Sequence, residues 1–317
     1  MRVLVLGGAG FIGSHIVRRI IAENPSAEVC VIDNLWTGRR ENIANLRNVH
    51  LIPSSVETIS ARAIGKFDHV YHLASPASPM WYSPEPSRTV LANVMGAKLA
   101  VDCVGSGGRV MFTSTSEVYG DPRVSPQPES YLGSVKSCGP RGAYDEGKRC
   151  AEALLWNEHR IQGSFELKIA RIFNCYGPHT RADDGRAVSN FLTAALRGEK
   201  LQVYGDGTQT RCFGHVDDIV EGLWCLFHQT EPDFVGPLNI GLDEEISVLE
   251  LAEYIANDLF GGAVGIDHVA PTPDDPQQRR PDLTLCRRII PQWKPKLDWR
   301  VGVRDTLSWF QRTGEVK

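Results

Sequence analysis

The sequence has no long apolar run, no paired cysteine spacing and no strong net charge. No uninterrupted apolar stretch approaches the roughly 20 residues of a membrane-crossing helix. Its eight cysteines form no C-x-x-C pair and no zinc-like spacing, so we expect reduced thiols that serve as small core side chains. A formal net charge of −4 disfavours general attraction to nucleic acid or membranes. We therefore expect neither as a partner.

The chain also has no internal repeat, no low-complexity tract and no linker that would separate independent domains. No signal peptide is expected, because an apolar strand begins at residue 2 and leads directly into a glycine motif. We accordingly expect a cytoplasmic location. With 317 residues, 42% hydrophobic and 23% charged, the composition is typical of a globular protein with a substantial core.

The first 33 residues follow the order of a dinucleotide-binding βαβ unit. A strand at 3–6 precedes three glycines, a helical segment follows, and a second strand at 29–32 ends on Asp33. The glycines are Gly7, Gly10 and Gly13. Glycines allow a tight turn against a pyrophosphate, which then faces the helix N-terminus, while Asp33 is placed to accept hydrogen bonds from a ribose diol. This arrangement predicts NAD as the cofactor.

Two alternatives remain at this motif. A glycine turn can be purely structural. Arg39 and Arg40 could reach the 2′-phosphate of NADP, or they could be solvated loop charges. The carboxylate of Asp33 favours NAD because it would repel a 2′-phosphate.

The remaining pattern alternates strands and helices. Further strands are predicted at 49–52, 67–73, 109–114 and 167–172. Helices are predicted at 85–104, 144–160, 217–227 and 247–259, with Ser247 and Glu250 as a capping box. The fold class is therefore α/β: a doubly wound parallel Rossmann sheet with a smaller mixed C-terminal substrate-binding lobe. We expect the cofactor domain at 1–175 with a returning segment near 212–240, and the lobe at 176–211 and 241–317.

A possible reaction centre follows the strand at 109–114. Small hydroxyl groups and a carboxylate end this strand at Thr115, Ser116 and Glu117, and Tyr144-x-x-x-Lys148 comes next. Residues four apart share a helix face, and a lysine ammonium beside a phenol lowers the phenol pKa from about 10. Such a tyrosine can accept a proton from a sugar hydroxyl. Taken alone, the pair could be an accident of an exposed helix.

With these motifs, nearly the full length resembles the extended short-chain dehydrogenase/reductases that act on nucleotide sugars. The general marks are the segments 7–15, 33–34, 144–148 and 171–178. Within this family, the chain resembles the UDP-glucuronic acid decarboxylase (UDP-xylose synthase) branch in the segments 72–79, 113–122, 183–191 and 274–282.

The resemblance implies a lyase with recycled NAD. It would decarboxylate UDP-glucuronate to UDP-xylose through a UDP-4-keto intermediate, with possible partial release of the 4-keto-pentose. The alternative is another nucleotide-sugar 4-epimerase or 4,6-dehydratase. Related dehydratases have an aspartate at the position of Ser116, because elimination needs an acid for the leaving hydroxyl. A redox-inert NAD-sensing or scaffold protein would have a broken Tyr-x-x-x-Lys pair, which here is intact.

The resemblance also implies site residues. The catalytic set is Thr115, Ser116, Glu117, Tyr144, Lys148 and Arg279. The cofactor set is Gly7, Gly10, Phe11, Ile12, Gly13, Asp33, Asn34, Thr37, Gly38, Leu73, Ser75, Thr89, Tyr144 and Lys148. The set for the UDP-sugar substrate is Ser78, Asn174, Arg186, Asn190, Tyr204, Arg211 and Arg279.

The remaining expectations concern metal, oligomeric state and departures from the family. No metal is expected, and the aspartate pairs at 183–184 and 274–275 are interpreted as turn residues. A homodimer is expected through the helices at 85–104 and 144–160. Ser55 stands where relatives usually have aspartate, and Arg88 where they often have lysine.

Overall fold

The computed structural model describes residues 1–271 and 278–316. Short runs of β-branched and other apolar residues form most of the strands. The strands are β1 Arg2–Leu6, β2 Glu28–Ile32, β3 Val49–Ile52, β4 Phe67–His72, β5 Val104–Thr115, β6 Glu166–Ile172, β7 Cys175–Tyr176, β8 Leu201–Tyr204, β9 Thr210–Arg211, β10 Gly214–His215, β11 Leu238–Ile240, β12 Ile246–Ser247, β13 Ile266–Val269 and β14 Gln278–Arg279.

The longer helices bury an apolar face, as in α1, α4 and α5. They are α1 Phe11–Glu23, α2 Ala61–Ile64, α3 Pro79–Tyr82, α4 Pro86–Cys103, α5 Gly142–Gln162, α6 Ala187–Leu196, α7 Val216–His228, α8 Val248–Glu253, α9 Thr284–Ile289 and α10 Trp299–Thr313. Two short 3₁₀ segments lie at Arg40–Ile43 and Ser116–Tyr119, and a π-helical segment at Tyr254–Leu259 continues α8.

Seven strands form one sheet in the order β11-β6-β5-β4-β1-β2-β3. The pairs of β1 with β2 and β4, of β2 with β3, and of β4 with β5 are all parallel. The chain leaves β1 first toward one edge and then toward the other, which is the doubly wound order. The α/β fold with a parallel Rossmann sheet is thus confirmed.

The chain forms two compact units. Unit 1 comprises 1–118, 135–171 and 220–238, and unit 2 comprises 119–134, 172–219 and 239–317. The core of unit 1 consists of sheet side chains such as Leu4, Val70 and Phe112 together with the inner faces of its helices. The core of unit 2 includes Phe191, Leu251 and Trp299. Which unit binds which ligand stays a prediction.

The longer predicted elements are confirmed to within a few residues, with two corrections. Strand β5 begins at Val104 instead of residue 109, and it includes Gly107 (φ +73°) beside a register irregularity opposite Phe67. The predicted helix at 247–259 is divided into α8 and the π-helical segment. The Ser247 side chain does accept a hydrogen bond from Glu250 N, as a capping box requires.

The described part of the chain contains no candidate membrane span and no candidate metal-binding cluster. None of its helices combines the length and the apolar character of a membrane span. Within residues 1–271 and 278–316, no group of three or more His, Cys, Asp or Glu side chains is arranged to hold a metal ion. Asp274 and Asp275 lie outside the described residues.

Candidate active site

The glycine turn of unit 1 has no room for side chains. A Cβ on Gly13 would lie 2.1 Å from Gly7 O, and one on Gly7, at φ +80°, would lie 2.6 Å from Ala74 N. Gly10 is the N-cap of α1 and supplies no side-chain cap, so the first N–H groups of the helix, including those of Phe11 and Ile12, face the turn. This cradle fits a pyrophosphate at the N-terminus of α1.

Asp33 lies beside this cradle at the end of β2. Its carboxylate accepts hydrogen bonds from Ala9 N at 3.0 Å and Leu35 N at 2.8 Å. Burial raises the pKa of Asp33, while these backbone hydrogen bonds act in the opposite direction. A Cβ on Gly38 would lie 2.8 Å from both carboxylate oxygens, so only glycine leaves the oxygens open on that side. A ribose diol fits these acceptors.

Other predicted cofactor residues lie in the surrounding loops of unit 1. Asn34 Nδ2 donates to Ser55 Oγ at 3.1 Å, so Ser55 contacts the loop after β2. The Leu73 amide donates to Leu6 O at 2.8 Å, which fixes the end of β4 beside the glycine turn. Thr89 is buried in α4, where its hydroxyl donates to Glu85 O. Two others, Thr37 and Ser75, are half-buried.

The carboxyl end of β5 meets α5 at the predicted catalytic pair. Tyr144 and Lys148 are both buried on α5, and Lys148 Nζ donates to Thr113 O at 2.7 Å. The Tyr144 ring is stacked on that of Tyr82, with 5.0 Å between centroids and 2° between planes. Burial lowers the pKa of Lys148 to about 7. Lys148 can therefore gain or lose a proton near neutral pH.

The hydroxyl and carboxyl groups that follow β5 are held by backbone and by an arginine. Thr115 Oγ1 accepts from Glu117 N at 3.2 Å, and Ser116 is buried. Both Glu117 oxygens accept from Arg141 Nη2 at 2.7 Å. Charge-assisted bonds of this length fix the direction of the Glu117 carboxylate.

Two of the predicted substrate residues have a buried polar side-chain atom that lacks a hydrogen-bond partner. Among the described residues, the buried Ser78 Oγ of unit 1 and the buried Asn174 Nδ2 of unit 2 have no hydrogen-bond partner. A buried donor left unsatisfied lowers stability, so each atom is explained if a ligand accepts its hydrogen bond.

Unit 2 contains the other predicted substrate residues. Arg211 and Arg279 are register partners in the parallel β9–β14 pair and are only 8% and 4% exposed. Two arginines thus occupy neighbouring backbone positions, and a guanidinium group suits a phosphate or carboxylate. The third arginine, Arg186, forms an ion pair with Asp184 at 3.2 Å.

Two further predicted substrate residues of unit 2 have different surroundings. Asn190 Nδ2 donates to Gly185 O at 3.1 Å, so this amide supports the loop before α6. The Tyr204 side chain ends β8 and is exposed.

The sequence also matches known proteins. The pattern of the NAD dependent epimerase/dehydratase family matches residues 3–241. The chain belongs to that family. UDP-glucuronic acid decarboxylase 5 of Arabidopsis thaliana is 46% identical over 304 residues, which cover 96% of this chain and 87% of the relative. UDP-glucuronic acid decarboxylase 1 of Xenopus tropicalis is 40% identical over 315 residues, covering 98% and 72%.

The solved structures of the same family share the fold. UDP-glucose 4-epimerase from Thermotoga maritima, solved with UDP-glucose, superposes with a TM-score of 0.87 at 28% identity and covers 99% of each chain. The sheet order described above is therefore that of this family of NAD-dependent proteins.

Four side chains that support the Tyr144–Lys148 pair of this chain were not predicted from the sequence. They are Tyr82, Arg141, Glu152 and Arg171, each in direct contact with a predicted residue or with a close neighbour. One signal was available for Glu152, since it continues the spacing of four residues from Tyr144 and Lys148. The other contacts join segments distant in sequence, for which no local pattern exists.

Proposed function

We propose that this chain is an NAD-dependent UDP-glucuronate decarboxylase that forms UDP-xylose and CO₂. The observation that carries the proposal is 40–46% identity, over nearly the full chain, to proteins named UDP-glucuronic acid decarboxylases. NAD is the cofactor, and the glycine turn and Asp33 fit it. Ser116 supports decarboxylation over dehydration, because serine is a poor acid for a leaving hydroxyl and CO₂ departs without one.

The first step is proton removal by Tyr144. Its phenol oxygen takes the proton of the sugar 4-hydroxyl, and the Lys148 ammonium stabilises the phenolate before the step. Bound NAD supplies the hydride acceptor for C4 and later the hydride donor. Thr113 O holds Lys148 Nζ, which fixes the lysine beside the tyrosine.

Carbon dioxide is lost in the second step. The 4-ketone stands β to the C6 carboxylate, so the electrons of the C5–C6 bond move toward C4 and form an enolate. Tyr144, now protonated, and the Thr115 hydroxyl donate hydrogen bonds to the enolate oxygen. These hydrogen bonds strengthen as negative charge develops on the enolate oxygen, which lowers the barrier to the loss of CO₂.

The last steps protonate C5 and restore C4. Glu117, held by Arg141, and Ser116 orient a water that supplies the C5 proton, and the hydroxide left behind takes a proton from solvent. Tyr144 returns its proton to the C4 oxygen as the alcohol is re-formed. The 4-keto-pentose would be a second product if it left the site before C4 is reduced.

We propose that unit 2 binds the nucleotide half of the substrate. Asn174, Asn190 and Arg211 bind the diphosphate, and Arg186 and Tyr204 hold the rest of the substrate. Arg279 and the Ser78 hydroxyl serve the sugar. The buried, unsatisfied donors of Ser78 and Asn174 and the neighbouring register positions of Arg211 and Arg279 support these roles.

A homodimer in the cytoplasm is the proposed assembly. Helices α4 and α5 lie side by side in unit 1 and leave Leu91, Met95 and Cys150 exposed. An apolar helix pair of this kind suits a second copy. Cys138 and Cys150 are exposed free thiols, which a reducing compartment preserves.

The test is to incubate the purified protein with UDP-glucuronate and catalytic NAD, following products by NMR and CO₂ by headspace analysis. We expect UDP-xylose, and we expect Tyr144→Phe to lower kcat by at least about a hundredfold. The matched control is Tyr254→Phe, which removes a hydroxyl far from Tyr144 in sequence. That hydroxyl donates to Arg300 O and accepts from Arg304 Nη1. Formation of UDP-galacturonate would indicate a 4-epimerase instead. Bound NAD without turnover would indicate a non-catalytic protein.

A further inference from the structure

Glu152 joins α5 to two strands of the sheet behind the Tyr144–Lys148 pair. Its Oε1 accepts from the Ser114 hydroxyl of β5. Arg171 of β6 donates to both oxygens, from Nε at 3.0 Å and Nη2 at 2.8 Å. Glu152 and Arg171 are largely buried, with side chains 14% and 13% exposed. Three hydrogen bonds, one from β5 and two from β6, therefore meet at one carboxylate of α5.

These contacts continue the row of side chains on α5. Tyr144, Lys148 and Glu152 are spaced by four residues and so lie along one helix face. Lys148 bonds Thr113 O and Glu152 bonds the next residue of β5, Ser114. Two successive residues of the strand thereby fix two successive turns of the helix, which sets the rotation of α5 against the sheet.

The row also alternates in charge. A phenolate at Tyr144, an ammonium at Lys148 and a carboxylate at Glu152 follow one another. Burial lowers the pKa of Lys148, and the Glu152 carboxylate acts against that by favouring the ammonium. From β4, His72 also faces Lys148, but burial lowers the pKa of His72 to about 3 and keeps it neutral. Glu152 is nearer to Lys148 than to Tyr144, so it stabilises the ammonium more than it destabilises the phenolate.

We propose that Glu152 is a positioning residue of the reaction, which keeps Lys148 protonated and α5 in register, with Arg171 as the counterion that moderates its charge. The proposal rests on the proposed function in taking Tyr144 and Lys148 as the reacting pair. Neither Glu152 nor Arg171 touches the reacting atoms. Their effect passes through Lys148.

Opposite charge changes at the two partners test the idea. Glu152→Gln keeps the size of the side chain but removes the anion, so the alkaline limb of the kcat profile should move to lower pH by about one unit. Arg171→Gln removes the positive charge that partly compensates the Glu152 carboxylate, so the alkaline limb of the kcat profile should move to higher pH. Glu158→Gln removes the same charge from an exposed pair with Gln162 on α5 and should leave the limb in place.

A second readout needs no turnover. The near-ultraviolet phenolate absorbance of each variant is titrated with and without NAD, after subtraction of the same protein containing Tyr144→Phe. We expect the Tyr144 midpoint to rise in Glu152→Gln and to fall in Arg171→Gln. If the wild-type protein leaves UDP-glucuronate unchanged, the proposed function fails, while this titration still decides the role of Glu152.

A purely structural role has a different signature. Both variants would then lose kcat and thermal stability together, with the limb and the phenolate midpoint unmoved, and the proposal would be overturned. Should Glu152→Gln fail to fold, Arg171→Gln remains decisive through the direction of its shift. Ser114→Ala removes one hydrogen bond but no charge, and it should leave both midpoints unchanged.

Discussion

At the scale of single residues, Lys148 combines a catalytic position with an unfavourable environment. It is 3% exposed, donates to one backbone carbonyl and lies 4.9 Å from the centroid of the Phe112 ring. Transfer of an ammonium from water into such a site opposes folding, and one hydrogen bond offsets only part of that cost. Function here is maintained against stability.

We therefore expect Lys148→Met to abolish activity but to stabilise the protein without NAD, by about 1–3 kcal/mol near neutral pH. The folded-state pKa of about 7 lies below the unfolded value of 10.5, so the unfolded wild-type chain binds more protons between them. Wild-type stability consequently rises with pH across this window, by up to about 1.4 kcal/mol per unit. The advantage of the variant should be full at or below pH 7 and shrink above it.

Chemical unfolding of both proteins at several pH values measures this difference. Lys98→Met is the control, because Lys98 lies exposed on α4 in an ion pair with Asp102 and should show little dependence of this kind. A pH-independent loss of stability in Lys148→Met would mean that the hydrogen bond to Thr113 dominates over the burial of charge.

At the scale of elements, the sequence was most informative where periodicity is long. Strand β11 of the large sheet, with three residues, was not predicted. Helices α4 and α5 and strands β1 to β6 were predictable because each repeats its apolar spacing over several turns or residues. The short strands β9 and β14 were not, since two-residue strands have no period. Their register, which places Arg211 beside Arg279, depends on contacts between distant segments.

The same contrast holds for the candidate site. The glycine turn, Asp33 and the Tyr–Lys spacing are local patterns and could be predicted. The bonds of Arg141 to Glu117 and of Arg171 to Glu152 span 24 and 19 residues. Packing decides such pairs, so the sequence alone cannot.

Helix α4 approaches β4 closely at Gly96. A Cβ there would lie 2.4 Å from His72 Cε1. Helix propensity alone predicts that Gly96→Ala stabilises by about 1 kcal/mol, whereas packing predicts that α4 must move, with a net destabilisation of about 1–3 kcal/mol. We expect packing to prevail and the melting temperature to fall.

Thermal unfolding of Gly96→Ala shows directly whether the substitution raises or lowers the stability of the protein. Ser87→Ala, at an exposed position of the same helix, is the matched control and should change little. The double variant with His72→Ala removes the clashing ring, so the two substitutions should be strongly coupled. Simple additivity, or a rise in melting temperature for Gly96→Ala, would place the helix farther from the strand than described.

At the scale of the whole molecule, the expected dimer depends on the outer face of α4 and α5. Leu91 and Met95 are 50% and 41% exposed and lie four residues apart on α4, so they form one apolar strip. Cys150 and Ala153 are exposed on the neighbouring α5. A strip of this kind gains from burial against its own copy, because a twofold axis brings equal surfaces together.

Met95→Arg should convert the dimer into a monomer. An arginine at the centre of the strip would meet its symmetry mate, so two like charges would lose water without a partner anion. Light scattering after size exclusion, over a range of concentrations, measures the mass. Leu132→Arg is the control, since Leu132 is more exposed but lies outside the two helices, and its mass should equal that of the wild type. A wild-type protein that is monomeric, or a Met95→Arg variant that stays dimeric, would assign the strip no role in assembly.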